Sequence, residues 1–579
     1  MIHEAHEGHE GRAGFSRCAS SCIAWMKQIM KRLGIFTLIF LLGCTFNSGA
    51  AQENTIERGR ELLKHGSYKE AAAVFTALLA KNSNDEPAQQ GLMRTLIETG
   101  DYRTAESKTK EYLSARPKDG AMRVALGDVL VATGRYNEAA TTFEQAARDS
   151  KSATQLRALL GQARALRAQG KEEQSQPVLQ QLVRYYSENA PRAAEELTTI
   201  AEALVLLEQY KDANELFIDA READATYAEA FIAQGELLNE KYSYGDALSL
   251  FEDALKINPH SPRALIGIAE CKQNGVVSAS RGKTPGNPAD EEPPAVIAHA
   301  IAVNPNNADA LAMDAWLDLE TESFDEATKS IDRALAANPN SINALAVRAA
   351  MFYLADKKSE LDAETKRVLS INPHAGEFLD TLALLAVNNR RYTDAVDFGR
   401  RALELSPHLW SARTQLGIQL LRVGKITEGR AELERAFAGD PFNLWAKNTL
   451  DLLDSMKDYP DTVRGPFLIK SSPKESGALA AYAADLLEEA HRKLAAKYRF
   501  TPRAPISVEV FTNHEDFAVR SLGLPGLGAL GVCFGQVIAM DSPSARAKGE
   551  FNWGSTLWHE FTHVITLQIT DHRIPRWFS

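Results

Sequence analysis

Small, apolar and aromatic side chains return along most of this chain every 34 residues. Pro305, Pro339, Pro373, Pro407 and Pro441 are each 34 apart, and twelve residues before three of them stand Ala327, Ala395 and Gly429. Ala71, Ala105 and Ala139 keep the interval, as do Ala213 and Ala247. The fullest unit reads Gly235, Leu238, Tyr244, Ala247, Phe251, Ala254 and Pro259; Gly127, Leu130, Tyr136, Ala139, Phe143 and Ala146 repeat it. A fixed period of this length signals stacked supersecondary units, none able to bury its apolar face alone. Small residues let two helices approach closely, aromatics fill the gap between units, and Pro ends the second helix. The pattern predicts about eleven helix pairs between Ile56 and Pro441, degenerate from Ser152 to Ser187. One unit is stretched: Pro259 to Pro305 spans 46 residues, twelve over the period. The surplus falls in a Gly-, Pro- and charge-rich segment, expected to be an exposed inserted loop over 272–294.

These positions and their spacing resemble the tetratricopeptide-repeat family. The resemblance implies an α-solenoid over residues 55–456 whose curved surface holds a polypeptide substrate or partner protein. The consensus residues themselves pack the helices, so none of them is a site candidate.

Beyond the apolar helix Leu444–Met456 the period ends. A strand is expected over Gly465–Lys470 and a long helix over Glu475–Lys497, with Leu479, Tyr482, Leu486, Leu487, Ala490 and Leu494 on one face. Ile506–Phe511 alternates as a strand, a short helix starts at Asn513 or His514, and Val532–Met540 reads as one further strand. An α+β module therefore starts near Pro460. Within it stands Trp553-Gly-Ser-Thr-Leu-Trp-His559-Glu560-Phe-Thr-His563, on a stretch whose Leu557, Phe561, Val564, Ile565 and Leu567 form an apolar helical face. His559 and His563 lie one turn apart on such a helix, the spacing of two imidazoles on one Zn²⁺. Glu560 is placed to polarise a metal-activated water and relay its proton.

Thr566 and Ile569 stand where a metzincin needs Gly and a third His, which excludes that subclass. HEFTHVITLQITDHRIPRWFS instead resembles the Peptidase MA-like gluzincins, as does GLGALGVCFGQVIAMDSPSA upstream. The resemblance implies that 460–579 is the N-terminal part of a zincin domain, with Zn²⁺ on His559 and His563 and Glu560 as general base. It puts the third ligand, a Glu, just beyond Ser579, after the Ile574-Pro-Arg-Trp577 lead-in. It also makes Gly535, Gln536, Val537 and Ile538 the edge strand that pairs with a substrate backbone. Asp571 and His572 read as a solvated turn pair, and Glu550 as a surface charge.

Composition narrows the function. A formal net charge of -11 argues against general nucleic-acid binding, which needs clustered Lys and Arg. Three of five cysteines (Cys18, Cys22, Cys44) lie in the first 44 residues, which leaves Cys271 and Cys533 as two structural thiols in the folded body. Leu33–Leu42 is a short apolar run behind Lys27, Lys31 and Arg32 and before Ser48 to Ala51, so 26–51 reads as a signal peptide. Leu41-Leu42-Gly43-Cys44 resembles a lipobox, and lipidation at Cys44 stays open beside a free periplasmic form. Residues 1–25 are expected to be a non-native or disordered extension ahead of Met26 or Met30; His3, His6 and His9 leave a metal-binding tract as the alternative. The expected protein is exported to a bacterial envelope, meeting the membrane only through its signal peptide or a lipid anchor. Two functions remain: a zinc metallopeptidase whose repeats recruit substrate, impaired as this chain is written, or a non-catalytic repeat scaffold for envelope assembly.

Overall fold

Asp85, Asp101, Asp119, Ser261, Asn307, Ser341 and Asn443 each accept a backbone N–H of the turn that follows, and these caps start helices of the array. The computed structural model describes residues 54–274, 288–524 and 527–573. The signal-peptide, Cys44 and His-tract readings, loop residues 275–287 and the Pro-Arg-Trp lead-in lie outside these. Twenty-three described helices run from α1 (Ile56–Lys64) to α23 (Leu444–Ser455), and all but the last form eleven consecutive pairs. Ala71, Ala105, Ala139, Ala213, Ala247 and Ala327 are fully buried where paired helices meet. Phe75, Phe143 and Phe251 each fill a gap left by two glycines, one on the helix before and one on the helix after. The degenerate stretch is an enlarged pair, α7 (Ser152–Arg167) and α8 (Glu172–Asn189), with Pro177 inside the second helix. The insertion separates α13 (Pro262–Gln273) from α14 (Pro293–Val303), so the ends of the expected loop are helical.

The array coils until it touches itself. Asn306 Nδ2 donates to Gly100 O and Asn340 Nδ2 to Gly134 O, each at 3.0 Å and each across 206 residues. Six 34-residue periods make 204 residues, so one superhelical turn holds about six pairs. Asn258, Asn304 and Asn338 donate to the Tyr68, Tyr102 and Tyr136 hydroxyls at 3.0, 3.1 and 3.3 Å. Further along, Lys241 pairs with Asp440 at 2.8 Å with both side chains buried.

A five-stranded sheet follows, formed by β1 (Asp461–Arg464), β2 (Phe467–Ser471), β3 (Ile506–Phe511), β4 (Gly531–Cys533) and β5 (Val537–Asp541) in the order β1-β2-β3-β5-β4. β2, β3 and β5 are parallel, and the edges β1 and β4 are antiparallel to their neighbours. Helices α24 (Ser476–Tyr498) and α26 (Trp553–Ile569) cover one face, burying Leu487, Phe561 and Val564 against Ile469, Val508 and Ile538. The other face lies under α25 (His514–Leu522) and the array: Phe511, Phe517, Val537 and Ala539 share a core with Tyr392 and Leu452. Cover on both faces explains why β3 and β5 are apolar almost throughout. Arg520 and Glu509 form a buried ion pair at this seam (2.6 Å); Arg520 also donates to Leu421 O (3.0 Å) and Arg422 to Ser521 O (2.6 Å).

The sheet corrects one expectation. Val532–Met540 is a hairpin rather than one strand, because Gly535 takes φ +97° and reverses the chain at Phe534–Gln536. Val537 and Ile538 therefore sit on an interior strand bonded on both sides, and Gly535 and Gln536 in the turn, so none can pair with a substrate backbone. The free edge beside them is β4. Cys271 and Cys533 are both buried and unbridged.

Candidate functional site

Asn552 Oδ1 accepts the Ser555 N–H at 3.1 Å and starts α26. Burial of Leu557, Phe561, Val564 and Ile565 then fixes the rotation of the helix. His559 is left exposed and His563 half-buried, with their Nε2 atoms 3.0 Å apart and their rings edge-on. Two nitrogens bound tetrahedrally to zinc at about 2.0–2.1 Å lie roughly 3.3 Å apart. The pair fits two corners of such a site to within a few tenths of an ångström. Among the described residues no group of three or more His, Cys, Asp or Glu could hold a metal ion.

Glu560 lies buried beneath the edge strand, only 6% exposed. A side chain at Gly531 would come within 2.8 Å of Glu560 Cγ, so a glycine lets β4 cross directly above it. Burial pushes the Glu560 carboxyl up to about 7, against the pull of the Arg390 charge. Burial presses the His563 imidazole down to about 4, assisted by His559 and then Arg390.

Arg390 belongs to the repeat array. It occupies the turn between α19 (Gly376–Asn388) and α20 (Tyr392–Leu405) with φ +58°. His572, just after α26, donates through Nδ1 to Arg390 O at 2.7 Å. Tyr392 packs edge-on against both His572 and Phe534. The His572 ring lies so close to Gly535 that a Cβ there would be 2.5 Å away, while Gln568 Nε2 donates to Gly535 O at 2.9 Å. His572 is thus no solvated turn residue: its ring locks α26 and the β4–β5 turn onto the array. Asp571 does face solvent, 3.7 Å from Arg503, and Glu550 is exposed.

Sequence reasoning missed Arg390 and His572. Gly66, Gly100, Gly134, Gly170 and Gly424 take positive φ between paired helices, whereas Glu208, Tyr242, Glu322, Asp356 and Arg390 do so without being glycine. Four of these turns touch something distant, as the glycine turns at Gly100 and Gly134 also do. Glu208 accepts from Trp410, Tyr242 stacks on Trp445, Asp356 pairs with Arg573, and Arg390 meets His572.

A second candidate surface is the inside of the superhelix. Arg94 of α3 (Glu86–Glu98) reaches Glu229 of α11 (Ala228–Glu240) at 3.5 Å, so first helices of distant pairs confront one another. Arg263 pairs with Glu202, Glu229 and Glu236 there. Carboxylates are in excess on this face. Burial and the neighbouring Glu236 and Asp309 push Glu270 up to about 7, and burial with Glu377 does the same to Asp380. Asp380 Oδ1 is buried with no hydrogen-bond partner among the described residues.

Residues 62–107 and 96–163 match one tetratricopeptide-repeat family model, and residues 198–262 match another. The array is built of tetratricopeptide repeats. Yeast Tom70 is similar in structure at 14% identity over 69% of this chain and 88% of that one, with a TM-score of 0.30. Cut9–Hcn1, an APC/C hetero-tetramer, gives 13% identity over 73% and 81%, with a TM-score of 0.38. YrrB, a TPR protein with an unusual peptide-binding site, gives 22% identity over 34% and 97%, with a TM-score of 0.20. No curated protein matches. Tetratricopeptide repeats bind peptides and partner proteins, and this chain has such an array joined to a small C-terminal α/β region.

Proposed function

We propose that this chain is a polypeptide-binding repeat protein that holds an extended, Lys- and Arg-bearing segment against the inner face of its array. The observation that carries this reading is the charge of that face. Burial, then Glu236 and Asp309 beside Glu270 and Glu377 beside Asp380, drives both carboxyls toward neutrality, and cations brought beside them would restore their charge. A basic segment supplies those cations, and electrostatic complementarity of this kind sets specificity and on-rate. Selection of displayed random peptides on the chain tests it. Recovered binders should be enriched in Lys and Arg, and an enrichment in acidic residues would contradict the charge argument.

The geometry of α26 favours a second reading, zinc-dependent peptide hydrolysis, for the α/β module. His559 and His563 would hold the metal, which supplies the Lewis acidity that activates water. Glu560, with its carboxyl near 7, can take and return a proton around neutral pH. The free edge of β4 offers N–H and C=O groups to a substrate strand above Glu560. Zinc content and peptide cleavage test this reading. One zinc per chain and cleavage lost in Glu560→Gln support it; cleavage indifferent to Glu560→Gln refutes it.

A further inference from the structure

We propose that Arg94 and Arg263 form an autoinhibitory contact on the inner face: they occupy carboxylates that the cations of a bound polypeptide must take over. The inference rests on the polypeptide-binding reading and names how that site is regulated. Arg263, at the start of α13, reaches back over two units. Its Nε and one terminal nitrogen meet the two Glu236 oxygens at 3.0 and 2.7 Å, and the other terminal nitrogen meets Glu229 at 2.9 Å. Glu202 of α9 (Ala194–Leu206) stands 3.6 Å away and also accepts from Arg164 at 2.9 Å. Arg94 comes to the same Glu229 from α3, at 3.5 Å and across 135 residues. The coil sets up this meeting. Lys64 Nζ donates to Thr226 Oγ1 at 2.7 Å and Asn258 Nδ2 to the Tyr68 hydroxyl at 3.0 Å, which carries α3 round to face α11.

Two properties make this a contact that a ligand can replace. Its geometry is the one a ligand's guanidinium needs, a fork-to-fork pair on Glu236 with two more carboxylates around it. It is also open to water: the Arg94 and Arg263 side chains are 46% and 42% exposed, and ion pairs so placed add little to stability. Further along the array the situation differs. Helices α15 (Ala308–Glu320) and α19 carry Asp309, Asp314, Asp318, Glu320, Glu377 and Asp380 and neither Lys nor Arg. A basic segment meets no cation of those two helices, whereas on α9 and α11 it is repelled by Arg94 and Arg263 until it displaces them from Glu202, Glu229 and Glu236. The contact thus selects against ligands with too few cations to replace both arginines. Displacement also breaks the Arg94–Glu229 bridge between distant units, so binding there loosens the coil.

The test titrates a labelled peptide of alternating Arg and Gly against the full chain and reads fluorescence anisotropy. Arg263→Gln should bind it about tenfold or more tightly than the wild type, and Arg94→Gln, which removes only exposed contacts, should shift affinity in the same direction. Arg263→Lys keeps the cation and should stay close to the wild type. The decisive control is Arg157→Gln. Arg157 lies on α7, 3.6 Å from Asp128 and 3.9 Å from Glu195, so its loss changes the charge by the same amount without vacating Glu202, Glu229 and Glu236. Its affinity should change by less than about threefold, and thermal unfolding of all variants should match the wild type. Arg263→Gln and Arg94→Gln both binding like the wild type, or an equal gain in Arg157→Gln and Arg263→Gln, would overturn the autoinhibitory contact and leave the polypeptide-binding reading standing. No binding by the wild type or by any variant would overturn that reading, and this inference with it.

Discussion

Arg520→Met tests how firmly the sheet is seated on the array. The Arg520 and Glu509 side chains are each 1% exposed and 2.6 Å apart, and the same guanidinium crosses the seam to Leu421 O. Removing one member of a buried pair leaves the other charge without compensation, which costs about 3–5 kcal/mol. The Leu421 carbonyl keeps its bond from Gly424 N, so the orphaned Glu509 carboxylate dominates that loss. With an m-value of about 2 kcal/mol/M in urea, the unfolding midpoint of the sheet falls by roughly 2 M. Urea titration followed by circular dichroism and by tryptophan fluorescence measures this. The double variant Arg520→Met/Glu509→Met removes both charges and should recover most of the loss, since apolar replacements of a buried pair are often neutral. A single-variant loss below about 1 kcal/mol would show the pair to be solvated. A double variant as unstable as the single would show that packing, and not an unpaired charge, sets the cost.

Three further outcomes follow from the same structure. Glu560 holds its proton more tightly folded than unfolded, so its contribution is full below the usual Glu range and is lost as pH rises to about 7. That loss is about 3 kcal/mol, so zinc-free Glu560→Gln should match the wild type at pH 4 and exceed its stability at pH 8; an equal offset at both contradicts this. Asn304→Ala and Asn338→Ala each remove a rung between superhelical turns, at about 1 kcal/mol apiece, and the pair should lengthen the particle in small-angle scattering; unchanged dimensions would mean the rungs do not set the pitch. Gly535→Ala meets both φ +97° and the His572 ring, and should lower stability by more than 1 kcal/mol in differential scanning fluorimetry while Gly477→Ala, open on its Cβ side, does not.

Much of the fold was legible because repeats state their packing many times over. Ala71 through Ala327 and the Phe residues between them mark the same two contacts in successive units, and eleven pairs follow from the period. The α+β elements were legible where the pattern was unbroken, as at Ile506–Phe511, and misread at Val532–Met540. There apolar residues continue on both sides of a turn that only the φ of Gly535 reveals. β1 was missed because Asp461–Arg464 is an exposed edge with no apolar alternation to announce it. His559, Glu560 and His563 are local in sequence, so their juxtaposition needed only a helix. Arg390 and His572 meet across 182 residues, and the inner-face carboxylates meet through the superhelix, so no spacing along the chain encodes either contact.

The binding of a basic peptide by the inner face is tested most directly by fluorescence anisotropy. A labelled Lys- and Arg-containing binder from the display selection is titrated against the wild type, Glu270→Gln/Asp380→Asn, and Glu326→Gln on a solvent-facing helix, where the side chain is 62% exposed. The inner-face variant should bind at least tenfold more weakly, the Glu326 variant like the wild type, and rising salt should weaken wild-type binding. Equal affinity across all three proteins would contradict the assignment of the inner face as the polypeptide site.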